Sequence, residues 1–495
     1  MSKLFIFGIG GTGSRVIKSL TMLLAAGADI SSTEIVPILI DPDRSNGDLN
    51  RTIDALTQYQ RIREKLDFVD NKFFKTKITT LQNLNNTKPE NKSSTRIGEE
   101  FRFEIEGIQN ERFKDFIDFG SLDTANKAMA SLLFSENNLD SDLQIGFKGN
   151  PNIGSVVLNQ FAKSDEFRQF ASNFEENDRI FIVSSIFGGT GAAGFPLLLK
   201  NIRNASDSVP RHAFLRNARI GAITFLPYFS IASAENNIID SNTFIAKTKA
   251  ALGYYARNIT GNKSLNAIYY WGEPYAKDCE HHAGSTEQRN DAHFSEVAAA
   301  CAIIDFASIG NENLENINGK ATTLYAKEFG TKADADPLQF NDLGDKTQAQ
   351  IKKPLTQYMY FVLYLHQQFK NAINKQPWSN KGKITIDNNF TSQSFFSDAL
   401  KSFNKHFLDW ITELNRNKRG FAPFNLAIDR NNIYELINGI NAQRTINPFV
   451  MKNYELFDDK LNKAEKQIGD LPVEQKFFSM FYTAIEQLIK EKFNM

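Results

Sequence analysis

The sequence predicts an α/β protein with a parallel sheet and flanking helices, completed by a mainly helical C-terminal region. Three features predict it. Short apolar runs rich in β-branched and aromatic residues recur as far as Trp271. Two of these runs pass directly into glycine-rich turns that open helical patterns, and beyond about residue 320 strand signals give way to amphipathic segments.

Taken in order, residues 3–9 form the first apolar run. Glycines follow, and then Val16 to Ala26, in which Val16, Leu20, Leu23 and Leu24 recur at helical spacing. This pattern is a strand, a tight turn and a helix. A second run, Ile35 to Ile40, ends at Asp41-Pro42-Asp43, as a parallel strand with acidic groups at its carboxyl end would. From about 65 to 143 the rhythm weakens, and a polar stretch from Asn83 to Ser94 marks an inserted region of helices and loops. Central strands are expected again at 179–183, 220–226 and 265–271. A helical run covers 290–306, and the helices expected after it are 355–373, 392–414, 433–440, 454–468 and 473–493. The division that follows is 1–320 for the α/β domain and 321–495 for a mainly helical C-terminal domain.

Composition narrows the function classes. The 495 residues carry 57 basic and 57 acidic side chains, a formal charge of zero. That balance gives no overall field for a polyanion, so no nucleic-acid partner is evident. The 42 Phe supply a large core. The only cysteines, Cys279 and Cys301, exclude a disulfide scaffold and a Cys-rich zinc site, and they fit a reducing compartment. No signal-peptide pattern and no membrane-spanning apolar run is present, so a cytoplasmic location is expected.

The chemistry lies in the glycine segments. Gly8-Ile9-Gly10-Gly11-Thr12-Gly13-Ser14 sits where a strand turns into a helix, the place at which unpaired backbone N–H groups and the helix dipole favour a phosphate. By itself this segment is explained as well by a dinucleotide site, with a purely structural turn as the lesser alternative. The segment Ser184-Ser185-Ile186-Phe187-Gly188-Gly189-Thr190-Gly191-Ala192-Ala193-Gly194 repeats the arrangement after another strand. Two such units in one sheet can set two helix N-termini around one polyphosphate. A third segment, Gly146-Phe147-Lys148-Gly149-Asn150-Pro151-Asn152-Ile153-Gly154, precedes the second loop.

With residues 8–14, 41–43, 149–154 and 187–193 in this order, the chain resembles the tubulin/FtsZ superfamily and is similar to its bacterial tubulin-like members. The resemblance implies a tubulin/FtsZ-like nucleotide-binding domain that holds GTP or GDP with Mg²⁺. It assigns Gly10, Gly11, Thr12, Gly13 and Ser14 to one side of the phosphates and Gly188, Gly189, Thr190 and Gly191 to the other. It places Gly146, Gly149 and Asn150 near the γ-phosphate, and Asp41 and Asp43 near the phosphate-bound metal. Pro227-Tyr228-Phe229 followed by Glu235 is similar to the ribose-binding segment, which makes Glu235 the ribose candidate. The run from Asn290 to Ala298 is similar to the helix that carries the base-reading residue, so Asn290 would read guanine, with Phe294 beside it. For Asn290, His293 and Glu296 a helix N-cap with a satisfied surface pair explains the residues equally well.

The sequence also departs from the family. Phe187 stands where the last loop has its first glycine, and Ala192-Ala193 replaces its polar ending. In the family an acidic loop after the long helix reaches the nucleotide of the next subunit. Here Ser308 to Glu315 offers Glu312 and Glu315 as the catalytic candidates, without the Asn-x-Asp motif. The function implied is GTP-dependent self-assembly into a homo-oligomer or filament, or docking of a protein partner through the insertion or the C-terminal helices, with hydrolysis open. Two alternatives stand beside it. One is a non-hydrolysing nucleotide-bound scaffold of a multi-protein bacterial system, antiphage defence included. The other is an adenylating or NAD-dependent enzyme, which leaves 146–154 and 187–194 without a role.

Overall fold

The computed structural model describes residues 2–66, 72–86, 100–147, 149–231, 241–260, 262, 264–272, 277–279, 285–314, 323–325, 337–381, 385–417, 420–443 and 452–495. Its strands are β1 (Lys3–Ile9), β2 (Glu34–Ile40), β3 (Lys77–Ile78), β4 (Arg179–Ser185), β5 (Arg219–Phe225), β6 (Phe229–Ile231), β7 (Ala267–Trp271), β8 (Lys277–Cys279) and β9 (Thr323–Tyr325). Seven of them form one sheet in the order β3-β2-β1-β4-β5-β7-β9, every pair parallel, and β6 and β8 pair separately. All-parallel strands are covered on both faces, which is why β1, β2, β4 and β5 are mostly apolar and do not alternate with polar residues.

The larger helices are α1 (Gly10–Ala25), α2 (Gly47–Lys65), α3 (Pro151–Val157), α4 (Gly189–Arg203), α5 (Ser241–Tyr255), α6 (Phe294–Ser308), α7 (Asp345–Gln367), α8 (Lys401–Arg416), α9 (Asn453–Gln467) and α10 (Val473–Phe493). On one face of the sheet Phe5 and Phe7 meet Phe170 at ring separations of 5.0 and 5.1 Å. On the other face α1 and α6 lie directly on the strands. A Cβ on Gly13 of α1 would stand 2.5 Å from the Gly8 backbone, and a Cβ on Gly221 of β5 would stand 2.7 Å from the Phe306 ring of α6. Glycine at 13 and 221 therefore sets how closely these helices approach the sheet.

The inserted region contributes more than loops. β3 extends the sheet beyond β2, and Phe101 and Phe103 exchange backbone hydrogen bonds with Leu39 at 2.8 Å each. Its helix Thr124–Leu133 leaves Met129, Leu132 and Leu133 exposed. Phe73 and Phe74 instead enter an aromatic cluster with Tyr358, Phe361 and Phe478 of the C-terminal helices.

Two expectations need correction. The expected helix at 433–440 is a single turn, Ile433–Glu435, after which Ile437 bridges to Phe424. Gly439, at φ +72, is in a left-handed conformation that no α-helix continues through. Strands also do not stop at residue 320, since β9 closes the far edge of the sheet.

Candidate functional site

β1 and β4 are neighbours, with Gly8 beside Val183. From β1 the chain winds outward to β2 and β3 on one side and, through β4, to β5, β7 and β9 on the other. The sheet order therefore reverses at β1 and β4, and in open α/β sheets the crevice outside the carboxyl ends at that point is the ligand site. Both strands open a helix there. Neither α1 nor α4 has a side-chain cap or an acidic residue in its first turn, so both N-termini present backbone N–H groups and positive dipole ends to the crevice.

The loops touch one another. A Cβ on Gly10, which has φ +72, would lie 3.8 Å from Thr190 Cβ, so the first and last glycine segments meet. A Cβ on Gly189 would lie 3.1 Å from Gly149 N and 3.2 Å from Asn150 N, so the 146–154 segment closes on the same place. Pro151 begins α3 immediately beyond it. Gly11 differs from its neighbours. Its missing Cβ has only Arg15 Nη1 at 3.5 Å and the side-chain amides of Asn46 and Gln288 at 3.8 Å around it, ordinary contacts that leave the backbone approachable.

Other candidates face inward. Ser14 is fully buried and its hydroxyl donates back to the Gly10 carbonyl at 3.2 Å. Thr12 is buried beside Tyr228 and Arg15. Gly188 caps α4 through its backbone, and Gly191 is needed for close packing, since its Cβ would stand 2.7 Å from the Ser185 carbonyl. Phe187 turns its ring into the core beside Tyr228, at 6.2 Å between centroids. Phe294 is buried, its ring packed between Trp271 and Phe421.

Asp41 and Asp43 are both buried at the carboxyl end of β2. Burial, with Asp43 and Asp48 nearby, pushes the Asp41 carboxyl up to about 7. Asn46 links this corner to the segment before α6. Its oxygen caps α2 through Asp48 N and Leu49 N, and its amide donates to Gln288 at 3.2 Å. Among the described residues no three His, Cys, Asp or Glu side chains converge as a metal site.

A buried ionic network unrecognised from the sequence underlies this corner. Arg15 donates to Glu296 at 2.5 Å, to Asp48 at 2.6 Å and to the Tyr228 hydroxyl at 2.6 Å. Asp48 also accepts from Arg51 at 2.7 Å and from the Asn290 amide at 3.0 Å. Glu413 of α8 accepts from Arg51 at 2.6 Å and from the Ala292 backbone at 3.0 Å, with Lys18 at 3.6 Å. Arg15, Lys18 and Arg51 thus balance Asp48, Glu296 and Glu413. The carboxylates hold the Arg15 guanidinium's pKa above its ordinary value despite its burial. Asn290 is half-buried and tied to Asp48, while His293 and Glu296 form a reciprocal cap on α6: His293 Nδ1 accepts from Ser295 N, and Glu296 accepts from His293 N, each at 3.0 Å. The signal in the sequence was a pair of basic residues, Arg15 and Lys18, in an otherwise uncharged helix.

Glu312 stands at the opposite end of the strands. Arg179, at the start of β4, holds the end of α6 and the following loop through Phe306 O and Ile309 O, both at 2.7 Å, and Asn311 at 2.8 Å. The six residue steps from Arg179 to Ser185 put Glu312 roughly 20 Å from the glycine loops of its own chain. Glu235 and Glu315 lie outside the described residues. Cys301 is buried and its thiol is pushed up to about 12, which removes it as a nucleophile for an adenylating enzyme.

No protein-family model and no curated protein matches the chain. Among solved structures it is similar to CetZ2 from Haloferax volcanii in a GTPγS-bound protofilament, at 13% identity and a TM-score of 0.28, covering 62% of this chain and 59% of that one. CetZ from Methanosaeta thermophila matches at 13% identity and a TM-score of 0.23, covering 62% and 51%. The TubZ-Bt two-stranded filament matches at 12% and 0.25, covering 64% and 55%. The chain thus spans between 51% and 59% of the length of these structures. TM-scores this low carry no argument, and the strand order and loop contacts stand without them. Among the described residues no helix is long and apolar enough to cross a membrane.

Proposed function

We propose that the chain is a tubulin/FtsZ-like protein that binds a guanine nucleotide with Mg²⁺ at the carboxyl ends of β1 and β4 and assembles head to tail. One observation carries this reading. Two uncapped helix N-termini, separated by more than 170 residues of chain, leave adjacent strands at the point of order reversal, and a third glycine segment closes on them.

The backbone amides around Gly10, Gly11, Gly189 and Thr190 would hold the phosphates. Asp41 and Asp43 would hold the metal ion, either directly or through water. Two oxygen donors with a carboxyl short of positive charge suit a hard cation completed by phosphate oxygens. When bound, the ion neutralises phosphate charge. Asn290 and Glu235 remain the proposed base and ribose contacts. Glu312 is too far away to act on its own chain's nucleotide, so it would orient water only for that of a neighbouring copy; Glu315 is the other acidic candidate.

Nucleotide extracted from the purified protein is expected to be GDP or GTP, and phosphate release per molecule is expected to rise with protein concentration and to fall in Glu312→Gln. Bound NAD or adenylate would overturn the reading. The commitment of Phe294 and the Asn290 amide to the interior favours a second reading, a nucleotide-bound scaffold, which bound GDP without turnover at any concentration would establish.

A further inference from the structure

Among the described residues, a cationic side chain from outside the glycine segments reaches the third of them. Lys247 extends from α5 across to the third segment and donates to the Gly149 carbonyl at 2.7 Å. That segment places Gly149 N and Asn150 N beside Gly189, the first residue of α4. Gly146, at φ +87, has nothing within 4 Å of the position a Cβ would take, so the loop borders open space.

The lysine is only partly exposed, and burial lowers its pKa with no carboxylate acting against the shift. Among the described residues no acidic group pairs with it. One carbonyl occupies one of its three N–H donors, which leaves two for a ligand. Among the described residues, the guanidinium groups nearest the loops are already ion-paired, Arg15 with Asp48 and Glu296 and Arg51 with Asp48 and Glu413.

Resting on the nucleotide reading above, we propose that Lys247 is a binding residue for the terminal phosphate of a nucleoside triphosphate. It reaches that phosphate from the Gly149 side and separates triphosphate from diphosphate. The partly desolvated ammonium gains an anionic partner when that phosphate is bound.

The test is the binding of GTPγS and of GDP to the full chain, measured by calorimetry for the wild type, Lys247→Met and Lys247→Gln. Gln keeps a donor for the Gly149 carbonyl without the charge. Both variants are expected to weaken GTPγS by about tenfold or more, the size of one charge-assisted contact, and to leave GDP within about twofold. Equal losses for the two nucleotides, or losses in Met that Gln restores, would show that Lys247 only shapes the loop and would overturn the proposal. Wild-type binding with an unchanged ratio in both variants overturns this proposal alone. Failure of the wild type to bind either nucleotide overturns it together with the nucleotide reading.

Discussion

Glu413 tests whether the C-terminal helices are part of the site's foundation. It is 6% exposed and lies on α8, yet its three partners, Lys18, Arg51 and the Ala292 backbone, all belong to the α/β domain and to the segment before α6. In Glu413→Gln the Ala292 N–H keeps an acceptor and Arg51 keeps Asp48 at 2.7 Å. Lys18 fares worst. It is 3% exposed, and it loses Glu413 at 3.6 Å, its only ion-pair partner within 4 Å among the described residues. Removing one partner of a buried pair costs about 3–5 kcal/mol, and the contacts that Gln preserves put this substitution near the lower figure.

A double-mutant cycle with Lys18→Met isolates the pair. The double variant removes one charge of each sign, so it should be less destabilised than the sum of the singles by roughly 1–3 kcal/mol. Trp410, on the same helix and bonded to Ser19 at 3.1 Å, reports the loss of this packing by fluorescence during urea unfolding. The pH dependence has a definite sign. Burial lowers the Lys18 pKa, so the folded state binds fewer protons than the unfolded chain and gains stability as pH rises towards about 10. Without Glu413 that depression deepens, and the deficit of Glu413→Gln should narrow in the same direction. A single-variant cost below about 1 kcal/mol, or additivity within about 0.5 kcal/mol, would refute the network as a stability element.

The remaining predictions concern the crevice. Gly11→Val should abolish nucleotide binding while leaving the thermal midpoint within a few degrees, because its Cβ meets only ordinary contacts, whereas Gly13→Ala should destabilise the fold through a 2.5 Å clash with Gly8, as paired melting and binding curves would show. For Asp41 the folded pKa of about 7 lies above the ordinary value of 3.8, so the protonated form stabilises the fold at low pH and that contribution is lost as pH rises through 7. Asp41→Asn should therefore gain most over the wild type above pH 7 in the nucleotide-free protein, by at most roughly 4 kcal/mol, and a pH-independent difference in urea midpoints would contradict the assigned shift.

What could be read from the sequence follows from how each element is stabilised. β1, β2, β4, β5 and β7 are covered on both faces or nearly so, and burial leaves strands of five to seven residues that are mostly apolar, a pattern that no helix would produce with flanking glycines. β3 and β9 have two and three residues, too few to carry a period, and they exist because a neighbouring strand offers free hydrogen-bonding groups. The same division runs through the site. The glycine spacing was legible because a tight strand-to-helix turn restricts residue type locally. The Arg15 network was not, because its partners, Asp48, Tyr228, Glu296 and Glu413, are scattered along the chain and each charge read alone resembles a solvated surface group.

The distance between Glu312 and the glycine loops also gives α6 a mechanical part in the proposed assembly. Its 15 residues rise about 22 Å, close to the length of β4 beside which it runs in the opposite direction. At one end the His293–Glu296 cap joins it to Arg15 and the crevice, and at the other Arg179 grips its last carbonyls and the loop bearing Glu312. Phe306 against Gly221, with no room for a Cβ between them, denies the helix a sliding path over the sheet. A ligand that shifts the Arg15 corner must therefore either be absorbed by the cap or move the Glu312 loop as one body with the helix. Loosening the cap by Glu296→Gln should then alter subunit association at the far end, although residue 296 touches no residue of that end.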